Sequence, residues 1–127
     1  MNLASIRIFT DDVARLVAFY ELLTGVSARW ANPVFATLPV GSAELAIAGL
    51  ETLALGGTPD AAEPRANRSV VVELAVDDVD REFARLREAG VTDFVLEPTT
   101  MPWGNRSLLL RDPDGTLVNL FRRPDAA

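Results

Sequence analysis

Asn119 is the polar residue of an otherwise apolar strand, Leu117-Val118-Asn119-Leu120-Phe121, which follows the turn Arg111-Asp112-Pro113-Asp114-Gly115. An amide held on a strand either faces water or faces something that uses its donor and acceptor. Arg7 and Glu73 stand in two further alternating strands, Leu3 to Thr10 and Ser69 to Val76, and Glu44 in a third. These groups can pair charges, bind a ligand or move a proton. The pairs Asp11-Asp12 and Asp77-Asp78 resemble acid clusters. Each precedes a helical pattern, so capping accounts for them better than chemistry.

Other chemistries are excluded by composition. The 127 residues contain no histidine and no cysteine. Thiol catalysis, a disulfide framework, a Ser-His-Asp triad and imidazole-bound Zn²⁺, Fe²⁺ or Ni²⁺ are therefore ruled out. The formal net charge of −6 argues against a nucleic-acid backbone or an anionic membrane surface as partner. It favours neutral or cationic ligands. The sequence shows neither a signal-peptide pattern nor a long apolar span, and the expected location is the cytoplasm.

The elements that position these groups follow from hydrophobic period. In the first strand Ile6, Ile8 and Thr10 are expected to face a helix, and Ser5, Arg7 and Phe9 the other side. Val13, Leu16, Val17, Tyr20 and Leu23 fall on one helical face, which makes Tyr20 a core residue, and Gly25 stops the helix. Strands are expected around Trp30, from Phe35 to Val40 and from Ala43 to Ala48. The stretch from Gly49 to Arg68, with Gly56-Gly57, Pro59 and Pro64, reads as a connector with no strong fold of its own. Val79, Phe83, Leu86 and Ala89 mark a second helix ended by Gly90. A strand signal at Asp93 to Leu96, the Pro98 to Gly104 segment and the Pro-Asp-Gly hairpin complete the chain.

The chain thus repeats itself. Ile6-Arg7-Ile8-Phe9-Thr10-Asp11-Asp12 aligns with Val72-Glu73-Leu74-Ala75-Val76-Asp77-Asp78. The order strand, Asp-Asp cap, helix, glycine stop and strand group occurs twice, which makes two βαβββ modules. One α+β domain over residues 1–127 is expected, with module one at about 1–50, a connector at about 51–67 and module two at about 68–124.

Phe19-Tyr20, Val76-Asp77-Asp78, Pro102-Trp103-Gly104 and the run Arg111 to Phe121 together resemble the vicinal oxygen chelate superfamily. That superfamily includes glyoxalase I, extradiol dioxygenases and the bleomycin-resistance proteins. The resemblance implies that the paired modules form a U-shaped concave sheet with helices on the outer face. It also implies a homodimer with ligand sites near the subunit interface. Metal-dependent members carry ligands on the first and last strand of each module. Carried over, these positions are Ser5, Val71, Asn119 and, with the register open, either Glu44 or Ala46. Such a set does not hold a catalytic divalent cation, so no metal and no cofactor are expected.

The expected ligand-contacting residues are Arg7, Phe9, Trp30, Phe35, Glu44, Glu73, Trp103 and Asn119. Arg7 and Glu73 occupy equivalent positions, and an ion pair between them on the cavity floor is the expectation. Trp103 would stack on ligand from a rim loop. Arg106 reads as a solvated charge. The function expected is non-catalytic binding of a small aromatic or cationic molecule, as in antibiotic sequestration. The alternative is a glyoxalase- or dioxygenase-like lyase or isomerase, metal-dependent or metal-free, using Arg7, Glu73 and Glu44.

Overall fold

In the computed structural model, which describes residues 1–125, the chain divides after Ala66 into two compact units. Each is a βαβββ module, so the α+β reading with an internal repeat holds. Module one runs β1 (Ser5–Thr10), α1 (Val13–Thr24), β2 (Arg29–Asn32), β3 (Phe35–Val40) and β4 (Ala43–Gly49). Module two runs β5 (Val71–Ala75), α3 (Val79–Glu88), β6 (Phe94–Thr100), β7 (Arg106–Arg111) and β8 (Leu117–Arg122). The strand orders are β1-β4-β3-β2 and β5-β8-β7-β6. In each sheet the first strand lies parallel to the last and at an edge.

The helices begin where the aspartates cap them. Asp12 accepts from the backbone N–H of Arg15 at 3.1 Å, and Asp78 from that of Arg81 at 3.0 Å. Each bond satisfies one of the orphan donors of a first helical turn. Gly25 closes α1 at φ 71°, a conformation that costs glycine nothing. α1 buries Val13, Leu16, Val17, Tyr20 and Leu23, as its periodicity predicts. These pack on β3 and β4, where Ala36, Leu38, Leu45 and Ile47 are buried. α3 buries Val79 and Leu86, and its Phe83 meets Phe94 of β6 edge to face with centroids 4.9 Å apart. Leu108, Leu110, Val118 and Leu120 complete that core.

Two local expectations change. The connector holds a short helix, α2 (Glu51–Leu55), with no side-chain cap of its own. The Thr52 hydroxyl donates to the Gly49 carbonyl at 2.8 Å, and the Thr58 N–H returns to the Leu53 carbonyl at 3.0 Å. Bonds of this local kind leave no hydrophobic period for a sequence reading to find. Further on, Arg65 pairs with Asp11 beside the start of α1, which ties the connector to module one. Ile6 also departs from its expected role. It belongs to the helix-facing set but remains 46% exposed, because β1 is an edge strand whose outer half α1 does not reach.

The turn between β7 and β8 folds around one carboxylate. Asp112 Oδ1 accepts from the N–H groups of Asp114 and Thr116 at 2.9 and 3.0 Å. Gly115 takes φ 86° and donates to the Asp112 carbonyl at 2.9 Å. The Arg111 guanidinium donates to the Gly115 carbonyl at 2.9 Å. This closes the hairpin in the register that presents Asn119.

Candidate functional site

Laterally paired residues of a sheet share a face, so strand register sorts every candidate. In module one the face away from α1 carries three rows. Ser5 pairs with Glu44 and Glu44 with Pro39; Arg7 pairs with Ala46, Ala46 with Thr37 and Thr37 with Arg29; Phe9 pairs with Ala48, Ala48 with Phe35 and Phe35 with Asn32. Arg7, Phe9, Phe35 and Glu44 therefore share one face. Trp30 does not. It pairs with Ala36, which pairs with Ile47, and so it stands in the helix-facing set, 46% exposed at the sheet margin. The period-2 rule assigns a face only within a confirmed strand, and β2 is four residues long with an irregular register after Trp30.

The centre of this face is built on small side chains. Ala46 and Ala48 lie on β4 between β1 and β3, and both are buried. Over them Arg7 and Phe35 reach toward each other. The Arg7 Cζ lies 5.2 Å from the Phe35 ring centroid and 5.8 Å from that of Phe9. The guanidinium thus lies within cation–π distance of two aromatic rings. The alternation Leu45-Ala46-Ile47-Ala48, large toward the helix and small away from it, is the sequence signal for this slot. It was missed as a feature of the site.

Module two presents different chemistry at the same positions. Glu73 pairs with Asn119, and Asn119 with Leu109; Ala75 pairs with Phe121, and Phe121 with Ser107. The Asn119 Nδ2 donates to Glu73 Oε2 at 2.9 Å. That bond fixes the amide orientation, since the reverse would set Oδ1 against a carboxylate. Asn119 Oδ1 is left buried with no hydrogen-bond partner. An unsatisfied acceptor of this kind costs about 1–3 kcal/mol. Trp103, by contrast, is 66% exposed at the tip of the β6–β7 turn. Backbone bonds from Gly104 to Met101 and from Met101 to Asn105, at 2.8 and 2.7 Å, hold that turn tight.

Arg106 is not simply solvated. It pairs with Arg122 on the helix-facing side and donates to both Asp80 carboxylate oxygens at 3.0 and 2.7 Å, and to the Thr100 hydroxyl at 3.2 Å. The Arg106 hydrogen bond holds the Asp80 carboxyl below its ordinary range, and Asp80 raises Arg106 in return. This pair links the start of α3 to β7. It engages the Nε and Nη2 donors of Arg106 within the fold, with Nη1 on Thr100.

The same register resolves the one position left open among the metal-ligand positions that the resemblance implies. Arg7 and Glu73 are equivalent in the repeat, Arg7 pairs with Ala46, and Glu73 pairs with Asn119. The module-one counterpart of Asn119 is therefore Ala46, not Glu44. The four positions hold Ser5, Ala46, Val71 and Asn119, with no carboxylate and no imidazole among them. Two weak oxygen donors do not fit a catalytic divalent cation. Among the described residues no group of three or more Asp and Glu side chains is placed to hold a metal elsewhere.

Comparison with known proteins agrees with this architecture. Residues 2–120 match the model of the glyoxalase/bleomycin resistance protein/dioxygenase superfamily. The chain is 26% identical over 126 residues to the uncharacterized protein YraH of Bacillus subtilis (strain 168), covering 96% of this chain and 98% of that one. Its fold is similar to a glyoxalase/bleomycin resistance protein/dioxygenase from Nocardioides, with TM-score 0.81, 24% identity and coverage of 100% of this chain and 86% of that chain. It is similar also to a glyoxalase/bleomycin resistance protein/dioxygenase family enzyme from Burkholderia phytofirmans PsJN, with TM-score 0.82, 21% identity and coverage of 96% and 98%. With its two βαβββ modules and a family match over nearly its whole length, the chain belongs to the glyoxalase/bleomycin resistance protein/dioxygenase superfamily.

Proposed function

We propose that this protein binds a small aromatic or cationic molecule without transforming it, in the manner of a sequestering protein. The observation that carries the reading is the content of the four metal-ligand positions. Ser5, Ala46, Val71 and Asn119 cannot replace the imidazoles and carboxylates that metal-dependent chemistry on this fold requires. In each module the face away from the helix carries contact groups instead. Phe9 and Phe35 offer rings, Glu73 offers a negative charge, Asn119 Oδ1 offers an acceptor lacking a donor, and Trp103 offers an exposed ring. Glu44 and Arg7 supply the remaining polar contacts. Trp30 takes no part, since it belongs to the helix-facing set.

The enzymatic alternative finds less support. A metal-dependent lyase, isomerase or dioxygenase needs ligands that these positions lack. A metal-free enzyme needs a proton-transfer pair, and within its module the described partner of Glu73 is an amide, which does not titrate.

Assembly as a homodimer belongs to the same proposal. β1 and β5 each lie at the edge of their own sheet with Ile6 and Val71 exposed, and such edges favour pairing with another chain. Light scattering on a sizing column tests it: twice the 13.7 kDa chain mass is expected, and a monomer refutes the dimer. Binding is tested by tryptophan fluorescence against a panel of cationic aromatic antibiotics. Saturable quenching that Trp103→Ala weakens supports the reading; a panel that leaves emission unchanged argues against it.

A further inference from the structure

The charge on one face of module one runs against that of the whole chain. The protein carries −6, yet the row Arg7, Ala46, Thr37, Arg29 places two guanidiniums on the face away from α1. Among the strand residues of that face, Glu44 is the one carboxylate, and Arg7 forms no ion pair with it. Within its module Arg7 has two ring partners and no anionic one.

We infer that this face binds the carboxylate of a planar aromatic acid. The inference rests on the binding reading above and narrows its ligand. The Phe35 and Phe9 rings lie at cation–π distance from the Arg7 guanidinium, whose residue is otherwise exposed. Its N–H groups, the fork that matches a carboxylate, enter no ion pair among the described residues. Phe9 and Phe35 then continue an apolar, aromatic surface for the ring of the ligand. Thr37, lateral to Ala46 and half-buried, places a hydroxyl on the same face for a second polar contact. Arg29, one strand further, adds a second positive charge. A monoanion suits this face better than a phosphate dianion, because Glu44 and the net negative charge repel the second charge.

The slot is specific to module one. Small, buried residues, Ala46 and Ala48, stand there between Arg7, Phe9 and Phe35; in module two the equivalent positions hold Asn119 and Phe121. The acid is therefore expected to engage this side of the repeat.

Isothermal titration with four probes tests the inference: 2-naphthoate, 2-naphthylmethanol, 2-naphthylmethylammonium and cyclohexanecarboxylate. The expected order places 2-naphthoate first. Arg7→Gln is expected to weaken it by about tenfold or more, the loss of one charge-assisted pair. Arg7→Lys should fall between, since it keeps the charge and loses the fork. Phe35→Leu and Arg29→Gln should each weaken binding less than Arg7→Gln. Thermal melting of each free variant separates lost binding from lost folding, and the exposed Arg29 supplies a variant with intact core packing. Equal affinity for the acid and the neutral alcohol overturns the inference, as does an Arg7→Gln protein that binds 2-naphthoate like wild type. Preference for the ammonium overturns it while leaving the broader binding reading in place. If no naphthalene probe binds and the antibiotic panel also fails, both readings fall.

Discussion

The two modules share a backbone and invert its side chains. Where module one has Arg7, module two has Glu73; Ala46 is matched by Asn119, Phe9 by Ala75, Ala48 by Phe121, and Phe35 by Ser107. In the first, aromatic residues on the outer strands flank alanines in the centre. In the second, the bulky residue stands in the centre and small ones flank it. In the row of Phe9, Ala48 and Phe35 two large side chains stand around one small one; in the row of Ala75, Phe121 and Ser107 one large side chain stands between two small ones. What differs is the chemistry exposed: a guanidinium between rings on one side, a carboxylate held by an amide on the other. The buried centres of the helix-facing sides show no such inversion: Leu38 and Leu45 in one module match Leu110 and Val118 in the other, all aliphatic. Repetition of the fold therefore constrains the core and leaves the opposite face free to diverge.

The sharpest test of that division is in the cores. Leu38 and Leu110 are equivalent and fully buried. Leu38→Ala and Leu110→Ala should each destabilise the protein by about 2–5 kcal/mol in urea unfolding. Losses under about 1 kcal/mol at either site would break the equivalence of the two cores. The caps come next. Asp12→Ala and Asp78→Ala should cost similar amounts, about 1 kcal/mol each, and a cost at one alone would show that the repeat does not extend to helix initiation.

Asn119 sharpens the comparison from the other face. Asn119→Leu removes a buried acceptor that has no partner and releases an exposed carboxylate to water. Stability should hold or rise by about 1 kcal/mol, while affinity for a cationic ligand falls. A large loss of stability would mean that the amide, not the ligand, needs Glu73. The smallest effect concerns acid. Arg106 depresses the folded-state pKa of Asp80 below 3.8. The pair therefore contributes above that ordinary value, and the contribution fades as pH falls through the lower folded one. Asp80→Asn and wild type should differ slightly near neutral pH and converge in stronger acid; a gap that widens on acidification contradicts this pairing.

Much of the fold was legible because its signals are local. The Asp-Asp caps, the glycine stops, the apolar face of α1 and the Pro-Asp-Gly turn each act within a few residues. The position of Asn119 on the helix-free face follows from alternation along β8 alone. What failed depended on pairing between strands. No pattern within Ala43–Gly49 tells whether Glu44 or Ala46 stands opposite Asn119 in the repeat; the parallel register of β1 on β4 does. The side taken by Trp30 likewise depends on its pairing with Ala36 across an irregular ladder. Arg106 looked solvated because its partner, Asp80, lies on a different element.

The central claim is that Ser5, Ala46, Val71 and Asn119 leave this copy of the fold without a catalytic metal. Titration of the purified protein with Ni²⁺, Zn²⁺, Fe²⁺ and Mn²⁺, followed by dialysis and elemental analysis, tests it most directly. Retention far below one equivalent of every metal is the predicted result. Stoichiometric retention of any of them, lost on substitution of Asn119, would contradict the account.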